Sequence, residues 1–193
     1  MCIRDSVGRA PVPELVAIWP GLHEDGIFGL AIDLGSTTIA AHLTDLDTGA
    51  VVVSAGVMNP QIRFGEDLMS RVSYAMMTPG GALEMTRSVR EALSTLIREI
   101  ALEADIDPAL ILEATFVCNP VMHHLLLGVD PVELGQAPFA LATSSSLDLR
   151  ADELGLSSLP ACARVYLLPC IAGHVGADAA AVALSEQPGL SED

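Results

Sequence analysis

Basic residues are scarce in this chain: 9 of its 193 residues are Lys or Arg, against 25 Asp or Glu, for a formal net charge of -16 at pH 7. A surface that acidic repels nucleic-acid phosphates and anionic membranes, so neither is an expected partner. Also missing is any Cys-x-x-Cys pair. The cysteines Cys2, Cys118, Cys162 and Cys170 are scattered along the chain, which argues against a zinc site or an iron–sulfur cluster within it. Small buried thiols in a reducing compartment are the simpler use for them. No apolar run reaches the ~18 residues that mark a membrane-spanning helix. The richest region is interrupted by Gly173, Gly176 and Asp178. No secretory signal is visible at the start, and a cytoplasmic location is the expectation. What is present is a globular composition, 51% hydrophobic and 18% charged. The length suffices for one core, or for one full domain and part of a second. A mean hydropathy of +0.48 is high, and it suggests an apolar face normally covered by something else. Self-association of the isolated chain, in its simplest form a homodimer, is expected from it.

Residues 1–6, Met-Cys-Ile-Arg-Asp-Ser, continue into no pattern and read as a cloning or assembly remnant. Residues 7–26 hold Pro11, Pro13, Pro20 and Gly21 and read as a linker, with Trp19 packing on the domain that follows. The stretch from Ile27 to Val57 then predicts three consecutive strands. An apolar run from Phe28 ends on Asp33, an alternating run starts at Thr38, and Asp45-Leu46-Asp47-Thr48-Gly49 turns the chain into a third run. An acidic start at Glu66-Asp67 opens one helix. A second has Met85, Val89, Leu93, Leu96 and Ile100 at spacings of three and four. Ile111 to Cys118 predicts a strand, and Asn119-Pro120 is a preferred cap and first position for a helix that Gly128 ends. From Pro131 to Pro160 a loop is expected, with a short helical segment at Asp152 to Leu156. A strand at Arg164 to Leu168 and an alanine-rich helix from Ala177 to Leu184 follow. This order predicts an α/β layered domain with a mixed sheet.

The turn Gly35-Ser36-Thr37-Thr38 has the composition of a phosphate-binding loop. Glycine lets a polyanion approach the backbone, successive amides can converge on its oxygens, and three hydroxyls supply further donors. Asp33 beside phosphates would repel them unless it held a magnesium ion, through water, that neutralises them. The alternative is a tight hairpin in which Asp33 caps its own turn. Ligands in open α/β sheets collect where strands end and helices begin, which adds Asn119 and the segment Cys170 to Asp178 as walls of the same cleft. Asp178 has an ordinary explanation too, a carboxylate in the first turn of a helix. Adjacent His123 and His124 would point about 100° apart on a helix and are poorly placed to ligate one metal. Arg71 is expected on a helix surface, paired with Glu66 or Asp67. That leaves Arg63 as the better candidate for an anion, with Asn59 and Gln61 beside it.

Asp33-Leu34-Gly35-Ser36-Thr37-Thr38 between two strands resembles the first phosphate-binding loop of the superfamily of actin, the seventy-kilodalton heat-shock chaperones and the acetate and sugar kinases. Three further segments narrow the match: Asn59-Pro60-Gln61-Ile62-Arg63-Phe64-Gly65-Glu66-Asp67, Asn119 through Pro131, and Leu168 through Asp178. They are similar to the ATPase-type domain of reductive activators of corrinoid proteins and their ferredoxin-fused relatives. The resemblance implies an actin-like, ribonuclease H-like first lobe over residues 27–186, with residues 187–193 as the start of a second lobe. It implies ATP and magnesium as cofactors, with Asp33 on the metal and Gly35, Ser36, Thr37, Thr38, Arg63 and Asn119 around the nucleotide. Asp178 would lie on the connecting helix, orienting water or the metal shell. A corrinoid protein is the implied partner. A second Asp-x-Gly loop, a Gly-Gly segment for adenosine and an upstream four-cysteine iron–sulfur module are not in the sequence, so a fragment is expected, inactive alone. A sugar or acyl kinase of the same superfamily, or a non-catalytic docking lobe, are the alternatives.

Overall fold

The computed structural model describes residues 2–6 and 14–186. At its centre is a six-stranded sheet made of β3 (Phe28–Leu34), β4 (Thr38–Asp45), β5 (Val51–Met58), β6 (Ile111–Cys118), β7 (Leu147–Arg150) and β8 (Arg164–Leu167), in the spatial order β5-β4-β3-β6-β8-β7. The first three strands form an antiparallel meander. β6 then joins β3 in parallel, β8 joins β6 in parallel, and β7 closes the far edge antiparallel to β8. This is the mixed α/β architecture with an antiparallel start that the strand and helix order predicts.

The alternation in β3 sorts its side chains: Leu30, Ile32 and Leu34 are buried while Ala31 and Asp33 are exposed. Ile39, Ala41 and Leu43 of β4 and Ala114, Phe116 and Cys118 of β6 are buried with them in one apolar cluster. Against that cluster lies α2 (Gly81–Glu103), which contributes Val89, Leu93, Leu96, Ile97 and Ile100 at helical spacing. The opposite face of the meander stays open at Ala31, Asp33 and His42.

Helix ends follow their local chemistry. Asp67 caps α1 (Leu68–Met77) by accepting the Ser70 N–H at 2.7 Å. Asn119 caps α3 (Pro120–Leu127) by accepting the Met122 N–H at 2.9 Å, and Gly128 ends it at φ 78°. The last helix, α4 (Ala177–Glu186), opens with Asp178 in its first turn. Among the described residues no helix is long and apolar enough to cross a membrane.

Two departures from the sequence reading have physical causes. Residues 147–150 form a strand where a loop is expected, and residues 151–155 form turns where a short helix is expected. A four-residue strand carries too little periodicity to detect. It exists because Leu147 and Leu149 register against Leu167 and Val165 of β8, and Ala151, Leu154 and Leu156 then enter the core. At the other end β1 (Cys2–Ser6) pairs antiparallel with β2 (Glu14–Trp19), so residues expected to stand outside the fold form a separate two-stranded sheet. Trp19 does pack on the domain, beside the cluster of Val16, Ile27 and Leu112, and stacks on His23 at 4.2 Å. Residues 187–193, expected to begin a second lobe, lie outside the described residues.

Leu93 has no exposed surface and lies in the α2–sheet cluster. Leu93→Ala is expected to lower unfolding free energy by about 2–5 kcal/mol in a urea titration. Leu102→Ala on the exposed side of the same helix should change it by less than about 0.5 kcal/mol.

Candidate phosphate-binding site

Between β3 and β4 the chain bends through Gly35, Ser36 and Thr37. Position 35 admits only glycine, because a Cβ there would stand 2.6 Å from the Thr38 carbonyl oxygen. Each carbonyl of the bend is then tied to a scaffold behind it. Asn59 donates its side-chain N–H to Gly35 O at 2.8 Å and its backbone N–H to Thr37 O at 2.8 Å. Arg71 donates from Nη2 to Ser36 O. These peptide bonds are trans, so the N–H of each unit points opposite its C=O. Fixing the carbonyls of residues 35–37 inward therefore turns the amides of Ser36, Thr37 and Thr38 outward. Outward amides are the kind of donor that binds an anion.

Arg71 corrects the sequence reading. It is fully buried rather than on a helix surface. Its Nε donates to Gly65 O at 3.0 Å, and Nη1 reaches Gln61 Oε1 at 3.4 Å and Met122 Sδ at 3.3 Å. Burial lowers its pKa and the nearby Asp67 carboxylate opposes that shift. Gln61 is buried with it, accepting from Arg71 while its own Nε2 donates to Met85 O at 2.9 Å and its backbone N–H donates to Asn59 Oδ1 at 2.9 Å. The Asn59-Pro60-Gln61 segment and Arg71 thus form a single bracket for the loop.

At the same end of the sheet stand the two carboxylates. Leu34 and Cys118 are partners in the parallel β3–β6 pair, so Asp33 and Asn119 flank the same strand ends. Gly176 lies on that junction: a Cβ there would come within 2.5 Å of Asn119 Cα and Cys118 O and 2.7 Å of Asp178 Oδ1. The Asp33 pKa is raised, first by desolvation and then by the charge of Asp178. The Asp178 carboxylate also accepts the Ala179 N–H at 2.9 Å, as a first-turn residue does. Cys118 and Cys170 are buried beneath, and burial pushes both thiols up, with Asp178 adding to each shift, so neither is poised as a thiolate. Among the described residues no three His, Cys, Asp or Glu side chains gather into a metal site. A divalent cation between Asp33 and Asp178 would draw its remaining ligands from water and phosphate oxygens.

The fold brings Asp33, Gly35, Ser36, Thr37, Thr38, Asn119 and Asp178 to one end of the sheet. It leaves Arg63 apart. That side chain is exposed, lies over the Phe64 ring at 4.5 Å, and lines a groove with Ser88, Glu91 and Glu99 of α2. His123 and His124 are both buried. His124 Nδ1 lies 2.8 Å from Pro120 O and its Nε2 accepts the Ala142 N–H at 3.0 Å, which defines a neutral ring. Both ring nitrogens of His123 lack a hydrogen-bond partner among the described residues.

An antiparallel meander with a glycine bend, followed by parallel strands whose ends carry acidic residues, defines the class of actin-like lobes. The model of the RACo middle region family matches residues 28–188, and the chain belongs to that family. It is 32% identical over 161 residues to the corrinoid activation enzyme RamQ of Eubacterium limosum, covering 83% of this chain and 27% of that protein. The solved structure of a reductive activator for corrinoid, iron–sulfur protein superposes with a TM-score of 0.90 at 29% identity, covering 99% of this chain and 30% of that one. The chain thus spans less than a third of the length of these relatives.

Arg71→Met keeps much of the volume but leaves the Ser36 and Gly65 carbonyls without their donor. It is expected to cost about 2–4 kcal/mol in urea and to speed hydrogen exchange of residues 34–38. His123 gives a pH signature. Burial lowers its pKa from 6.5 to about 4, so the unfolded chain takes up a proton that the native ring refuses. The stability is complete above pH 6.5 and is lost as pH falls toward 4, by up to about 3 kcal/mol. His123→Leu should flatten that part of the stability–pH curve.

Proposed function

We propose that this chain is one lobe of an ATP-dependent reductive activator of a corrinoid protein, and that its Asp33–Thr38 loop holds the phosphates of Mg-ATP. The observation that carries the reading is the tie of the Gly35, Ser36 and Thr37 carbonyls to Asn59 and Arg71, which by trans peptide geometry turns the Ser36, Thr37 and Thr38 amides outward. Family membership and the printed functions of the relatives supply the biological context. Asp33 holds the magnesium, which would neutralise the phosphates when bound. Asp178 faces it from the start of α4 and orients water or completes the metal shell. Asn119 keeps its side-chain oxygen on the Met122 N–H, so its amide group is the part that faces a nucleotide. Arg63 has no place in this reading, because it lies in the groove along α2.

Phosphoryl transfer depends on stabilisation from several sides at once. One lobe supplies half of that enclosure, so the lobe alone binds nucleotide weakly and the complete protein supplies the rest. An iron–sulfur cluster, the electron source in such an activator, belongs to a separate module. The partner is a corrinoid protein in its oxidised, inactive cobalt state.

Calorimetry of Mg-ATP binding to the full-length gene product should show at least about tenfold weaker affinity for Asp33→Ala. ATP-dependent reduction of the corrinoid, followed by its visible absorption, should be lost in parallel. Unchanged nucleotide affinity in Asp33→Ala would remove the metal role, and corrinoid reduction indifferent to ATP would remove the coupling.

A further inference from the structure

All nine basic residues of the sequence are arginines, and three of them share one groove. Arg87, Arg90 and Arg98 line a cleft of about 410 Å³ between α2 and the segment around Gly155, together with Ser94, Thr95 and Ser157. In a chain with 25 acidic residues, a cationic concavity is the exception. None of the three arginines forms an ion pair with a carboxylate among the described residues. Arg87 is exposed and makes no hydrogen bond there either.

The other two are held in place by groups that leave their charge unbalanced. Arg90 is half-buried and donates from Nε and Nη2 to Leu126 O at 3.0 and 2.7 Å. Its Nη1 remains toward Gly155, whose backbone at φ 63° passes so close that a Cβ would lie 3.8 Å from it. Burial alone depresses its pKa. Arg98 donates from Nη1 to Ser158 Oγ at 3.1 Å and from Nη2 to Thr95 Oγ1 at 3.0 Å. Neutral acceptors fix both guanidiniums without neutralising them, so each retains its attraction for an anion.

Spacing sets what can bind. Arg90 and Arg98 are eight positions apart on one helix, a rise of about 12 Å. Glu91 lies between them in the same lining and repels an anion at mid-groove. A ligand matched to this lining carries negative groups toward its two ends with a neutral stretch between. In an extended peptide at about 3.3 Å per residue, a span of about 12 Å corresponds to two acidic side chains separated by three residues. We propose that this groove docks an acidic, extended segment of a partner protein through Arg87 and Arg90 at one end and Arg98 at the other.

The test is fluorescence anisotropy of a labelled Glu-Gly-Ser-Gly-Glu peptide titrated with the full-length gene product at low salt. Binding should weaken steeply as salt rises, vanish for Gln-Gly-Ser-Gly-Gln, and gain nothing from a third glutamate at the centre. The double variant Arg87→Ala/Arg98→Ala should weaken it about tenfold while leaving nucleotide affinity unchanged. Arg87→Ala alone removes an exposed side chain without a bonded partner and guards against loss of folding. It should weaken binding in the same direction. Glu91→Gln should strengthen it and relax the demand for a neutral centre. Undiminished peptide binding in Arg87→Ala and in the double variant, or tripolyphosphate binding more tightly than the peptide, would overturn the proposal.

Discussion

The candidate site depends on a guanidinium buried among carbonyl oxygens. Removing the Arg71 charge from water costs several kcal/mol, and the Ser36, Gly65 and Gln61 oxygens offset that cost only while the loop, the turn before α1 and the Asn59-Pro60-Gln61 segment stay in register. The cost and the geometry are therefore coupled. A loop that drifts leaves a buried cation with fewer acceptors, so the arrangement resists displacement of the loop. What the arrangement fixes is the backbone orientation of a short glycine bend, and with it the direction in which three amides point.

The sheet supplies the rest by topology. Parallel pairing of β3 with β6 and of β6 with β8 brings their carboxyl ends to one side. Asp33, Asn119 and the segment leading into Asp178 meet there without any contact between them in sequence. The glycine at 176 permits that meeting, since any side chain would collide with the Cys118–Asn119 backbone. Burial, and after it the charge of Asp178, raises the Asp33 pKa.

Much of this was legible in the sequence. The meander, the capped helices and the α2 stripe follow from periodicity and from Asp67, Asn119-Pro120 and Gly128, because those signals are local. The family was legible in the segments around Asn59, Asn119 and Gly173. The strand at Leu147–Arg150 was hidden because only its partner β8 defines it. Arg71 was misplaced because a buried arginine and a surface arginine have the same helical pattern; only the carbonyls of Ser36 and Gly65 distinguish them. Asn59 and Gln61 were legible as neighbours of Arg63, but their place as two buried amides behind the loop depends on long-range contacts with Gly35 and Met85. Arg63 was favoured by its place in a turn, yet the chain carries it onto the outer groove of α2.

The most direct test of the central claim is a backbone-amide NMR titration of the chain with Mg-ATP. The account predicts that the largest shifts fall on the amides of Ser36, Thr37 and Thr38, with Asn59 and Arg71 side-chain N–H signals following. Saturating nucleotide that leaves those three amides unmoved while shifting residues elsewhere would contradict it.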